Sequence, residues 1–170
     1  HLIEPHGGAL CDLRVSDERS EELKAASIDY PSVTLTERQL CDLELLLNGG
    51  FSPLTGFLGE EDYQGVLEKC RLSDGTVWPM PITLDVPEDL ARSLELGERL
   101  ALRDPEGGML AVLTIQERWK PDKQWEAESV FGTANEEHPA VARDLDNLGW
   151  LLFELGRYDE AEALHRRAAA

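Results

Sequence analysis

Residues 35–58, LTERQLCDLELLLNGGFSPLTGFL, open with a helix-capping signal and close on an apolar loop. The Thr36 hydroxyl can accept from the first turn, and Gln39, three residues on, can reach back to complete a capping box. Leu40, Leu43, Leu46 and Leu47 recur at helical spacing and make one apolar stripe. Asn48-Gly49-Gly50 stops the helix, because Gly and Asn tolerate the left-handed conformation that follows a last turn. Phe51, Pro53, Leu54, Phe57 and Leu58 then form a hydrophobic loop, held by Pro53 and bent at Gly56. A loop this apolar folds over a core, since leaving it in water is unfavourable. A helix with a packed loop and no chemistry is the plain expectation.

Upstream, Pro5-His6-Gly7-Gly8 forces a turn. It has neither the strand–loop–helix setting nor the Lys-Ser/Thr of a phosphate-binding loop, so His6 is expected to be structural. Asp17–Ala26 reads as a solvated helix, Tyr30-Pro31-Ser32 breaks it, and Val33-Thr34-Leu35 is a short extended lead. Downstream, Glu60–Cys70 is an amphipathic helix with Tyr63, Val66, Leu67 and Cys70 on one face. Beyond Trp78 the period changes. Ile82, Leu84 and Val86 alternate with Thr83 and Asp85 as in a half-buried strand, which Pro79 and Pro81 confine to an edge or bulge. Pro87–Leu96 is a helical turn ended by Gly97. Arg99–Asp104 and Met109–Glu117 are two strands joined by the hairpin signal Asp104-Pro105-Glu106-Gly107-Gly108, with Ala111, Leu113 and Ile115 on one face. Asp122–Phe131 is helical, with Trp125 and Val130 inward. Helices followed by a small antiparallel sheet give an α+β class with a barrel-like core.

The 170 residues carry 34 acids against 16 bases, a formal charge of −18. Such a field repels phosphate backbones and anionic membranes, so neither nucleic acid nor membrane is expected as a partner. Arg118, Lys120 and Lys123 form the one modest basic cluster, interrupted by Asp122. Cys11, Cys41 and Cys70 lack zinc or redox spacing and are odd in number, so buried or half-buried free thiols in a cytoplasmic protein are expected. No apolar run approaches a membrane span and no leader is recognisable.

Several separate motifs, in order, closely resemble the N-terminal domain of the ATP sulfurylases (sulfate adenylyltransferases). They are PHGG, GGFSPLTGFL (Gly49–Leu58), DGTVWPMPITLDV (Asp74–Val86), LALRDPEGGMLAVLTIQERWKPDK (Leu100–Lys123) and VFGTANEEHPAV (Val130–Val141). The resemblance implies a PUA-like β pseudobarrel with flanking helices over residues 1–141, a domain that supports catalysis without performing it. The family's chemistry, ATP and sulfate to adenylyl sulfate and pyrophosphate, uses a Gln-x-Arg-Asn motif and an HxxH-type histidine pair. Neither occurs here: His1, His6, His138 and His165 include no pair at i and i+3. Glu136-Glu137-His138 is read as a loop staple before Pro139. No catalytic, cofactor-binding or metal residue is assigned, no cofactor is expected, and the chain alone is expected to be inactive.

Residues 142–170 resemble part of a tetratricopeptide (TPR) repeat. Leu145, Leu148, Leu152 and Leu155 share one side of a first helix that Gly156 closes. Tyr158, Ala161, Leu164 and Ala168 face it from a second. Such repeats bury their apolar faces against neighbours, so one alone is poorly sheltered. A homodimer or a protein partner through residues 142–170 is therefore expected.

Overall fold

In a computed structural model, residues 3–135 are described; the TPR-like segment 142–170 and Glu136-Glu137-His138 lie outside them. The chain divides into two compact units. One runs to Val66 and resumes from Cys70 to Trp119; the other comprises Leu67–Lys69 and the chain from Lys120.

Helix α1 spans Asp17–Ala26, capped by Ser16 Oγ accepting from the Arg19 N–H. It buries no residue and carries Arg19–Glu22 and Lys24–Glu21 pairs, the solvated helix its sequence indicates. Strand β1 is Ser32–Thr34, with Val33 its one buried residue. Helix α2 is Glu37–Leu47 with both bonds of the capping box: the Gln39 N–H donates to Thr36 Oγ1 at 3.3 Å, and the Thr36 N–H to Gln39 Oε1 at 2.9 Å. Gly49, at φ +81°, takes the left-handed position after the last turn. In the loop that follows, Ser52 Oγ accepts the Cys11 N–H and donates to the Gly49 carbonyl, and the Leu58 N–H bonds the Ile82 carbonyl.

Helix α3, Glu60–Lys69, ends on Cys70, a non-glycine residue at φ +52°, whose N–H reaches the Val66 carbonyl. The next amide, of Arg71, turns back to the Gly65 carbonyl, and a Cβ added at Gly65 would lie 2.6 Å from the Arg71 carbonyl oxygen. Alanine would gain about 1 kcal/mol of helix propensity there, but forcing a backbone crossing apart costs about 1–3 kcal/mol. Gly65→Ala is therefore expected to destabilise, whereas Gly56→Ala, with nothing within 4 Å of the new Cβ, stays near wild type. Urea midpoints that coincide for the two variants would contradict the close crossing.

After α4 (Glu88–Ser93), strands β2 (Arg99–Arg103) and β3 (Met109–Thr114) complete a three-stranded sheet in the order β1-β2-β3. β1 runs parallel to β2, Ser32 opposite Ala101 and Thr34 opposite Arg103. A parallel pair needs a long crossover, which here contains α2, α3 and α4. β2 and β3 are antiparallel, with an irregularity at Leu102/Arg103. Their turn places Gly107 at φ +88°, and Asp104 Oδ1 accepts the Gly108 N–H at 2.6 Å.

Two apolar clusters fill this unit. The first joins Val33, Leu35, Leu43, Leu94, Leu100, Leu102 and Ile115, with Ala111 and Leu113 packed against it. The second joins Leu46, Leu54, Leu58, Val66, Leu72, Trp78 and Ile82. Residues 35–58 contribute to both, with Phe57 packed against each, so the helix and its loop tie the two clusters together.

Several expectations are corrected. Ile82–Val86 is not a strand; the nearest pairing is an isolated Arg71–Val77 bridge. Its alternation survives only in part: Ile82 lies in the second cluster, Leu84 and Val86 pack half-buried against the first, and Asp85 is exposed. Its carbonyls bond non-strand donors: the Leu58 N–H at Ile82 and Gln39 Nε2 at Asp85. Thr83, expected outward, is buried. The thiols are more open than expected: Cys41 and Cys70 are exposed and Cys11 is half-buried.

In the second unit, α5 (Lys123–Phe131) starts at Asp122, whose Oδ1 accepts from the Gln124 and Trp125 amides at 3.1 Å. It ends at Gly132, φ +72°. Ala127 is buried and Val130 is 37% exposed, so Val130 does not face inward. Five positions separate it from Trp125, about 140° round a helix of 3.6 residues per turn, too far for one face.

Candidate functional site

The Pro5–Leu13 segment lies over the loop that follows α2. The Gly8 N–H closes a turn on the Pro5 carbonyl, and a Cβ on Gly7 (φ +75°) would sit 2.7 Å from the Pro53 ring. Further along, the Leu13 N–H donates to the Leu47 carbonyl. His6 Nε2 is 2.7 Å from the Val77 carbonyl oxygen, which can only accept, so this nitrogen carries the proton. Its ring stands 6.2 Å from Trp78, and Phe51 meets the same indole edge-on at 5.7 Å. His6 thus pins the amino-terminal segment to residues 77–78.

Trp78 supplies what the sequence did not signal. Its indole Nε1 is the one buried side-chain polar atom without a hydrogen-bond partner among the described residues. Such an atom costs about 1–3 kcal/mol. The ring packs in the second cluster with Phe51 edge-on and His6 beside it, contacts that offset the orphaned donor.

Several acidic side chains hold backbone. Glu117 Oε1 accepts the Glu60 N–H at the start of α3, at 2.7 Å, and Asp62 Oδ1 accepts the Ser73 N–H at 2.7 Å. Hydrogen bonds from Thr76, the backbone one first, lower the Asp74 pKa. Asp12, bonded by the Arg14 side chain and then its amide, is lowered to about 2. In the basic cluster, Arg118 donates to the Ala91 carbonyl, and Lys123 pairs with Glu126. Among the described residues no group of three or more His, Cys, Asp or Glu side chains could hold a metal ion, and no helix is long and apolar enough to cross a membrane.

Asp42 on α2 behaves differently: partial burial raises its pKa, against the smaller opposing effect of Arg38. Between the ordinary carboxylate value and the raised one, the folded chain holds more protons than the unfolded chain, so stability falls as pH rises through that window. Asp42→Asn is expected to stabilise at neutral pH, by well under about 1 kcal/mol because solvent screens the half-exposed group. The gain should vanish near roughly pH 3, where the aspartate is neutral too. Chemical unfolding at both pH values measures it, and a loss at neutral pH would mean that the Arg38 attraction dominates.

The described polar groups therefore cap helices, close turns and bridge segments. The sequence of this chain is similar to sulfate adenylyltransferases. It is 50% identical to that of Eremothecium gossypii over 141 residues, 82% of this chain and 28% of the relative. It is 51% identical to that of Schizosaccharomyces pombe over 123 residues, 71% of this chain and 25% of the relative. The chain thus spans about a quarter of the length of these curated relatives. Among solved structures it is similar to the hexameric APS kinase from Thiobacillus denitrificans, at a TM-score of 0.64 and 44% identity over 72% of this chain and 24% of that one. Residues 3–152 match the family described as the PUA-like domain, and with its small sheet and flanking helices the chain belongs to that family.

Proposed function

We propose that this chain acts as the non-catalytic amino-terminal domain of an ATP sulfurylase, with a structural or assembly role in sulfate assimilation. The observation that carries this is the 50% identity, over 141 residues, to a sulfate adenylyltransferase of which the chain spans 28%. Among the described residues, polar side chains such as Ser16, Gln39, Asp62, Asp104, Glu117 and Asp122 hold backbone, which supports a structural role. In this reading residues 1–141 are a PUA-like pseudobarrel unit, residues 142–170 are a TPR-like hairpin, and the protein works in the cytoplasm without cofactor, metal or nucleic acid. Incubated with ATP, magnesium and sulfate, the chain is expected to release pyrophosphate at the background rate. Turnover by this chain alone would overturn the proposal.

A second reading makes the chain an interaction or oligomerisation module acting through residues 142–170. The repeat-like pattern of those residues favours it, and the structurally similar Thiobacillus protein is described as hexameric. Deleting residues 142–170 would then abolish assembly in sedimentation. Unchanged assembly of the shortened chain, with its circular dichroism preserved, would remove this reading.

A further inference from the structure

We draw no further inference here: the strongest candidate, the outer edge of β3 with Leu110 exposed beside it, carries nothing because nothing in the structure shows what covers it.

Discussion

Leu100→Ala is expected to lower the unfolding free energy by about 2–5 kcal/mol, the range for emptying a fully buried leucine site. Leu100 is 0% exposed on β2, the central strand, and shares the first cluster with residues from β1, α2 and the stretch after α4. The cavity would open where β1, β3 and α2 converge, so no single element can move to fill it without disturbing another. A thermal midpoint lower by on the order of 10 °C is the expected reading. Leu110→Ala provides the contrast: on the same hairpin but 42% exposed, it should lose less than about 1 kcal/mol. Equal losses at the two positions would show that β2 is not the centre of this core.

Gln39→Ala is expected to cost about 2–4 kcal/mol, more than a surface helix cap is worth. Gln39 is 4% exposed and works at both ends of its amide. Oε1 accepts the Thr36 N–H at 2.9 Å, and Nε2 donates to the Asp85 carbonyl at 2.9 Å, 46 residues away. Alanine would leave a backbone donor and a backbone acceptor unpaired together. Gln39→Glu separates the two roles. Glutamate serves a capping box as well as glutamine does, but here it would put a second carboxylate oxygen against the Asp85 carbonyl. If the long-range bond matters as its geometry indicates, the glutamate variant falls with the alanine variant in urea unfolding. A glutamate variant as stable as wild type would reduce Gln39 to a local cap.

That pair of bonds also marks how far the sequence can be read. Thr36 and Gln39 lie three positions apart, so the cap is a local pattern, as are the Asp104–Gly108 turn and the glycine stop after Leu47. The bond to Asp85 depends on how the chain returns, and no window of neighbouring residues encodes it. Ile82–Val86 is not a strand for the same reason: alternation of residue type supplies no ladder partner, and these carbonyls meet an isolated amide and a side chain. The exposure of Cys41 and Cys70 likewise depends on what packs nearby. For the candidate site, the sequence suggested that His6 is structural. Its acceptor, the Val77 carbonyl 71 residues away, and the unpaired Trp78 indole became visible only in three dimensions.

The parallel seam between β1 and β2 has a consequence for the order of assembly. The β2–β3 hairpin closes across a five-residue turn, whereas bringing Ser32 to Ala101 must restrain nearly the whole intervening chain. In the loop-length contribution alone, the second closure is dearer by roughly 2 kcal/mol. β1 is therefore expected to pair with β2 after the hairpin has closed. On the ribosome, α2 emerges well before the strands that shelter its leucines, so the nascent chain passes through an interval in which its most apolar helix has no sheet to rest on.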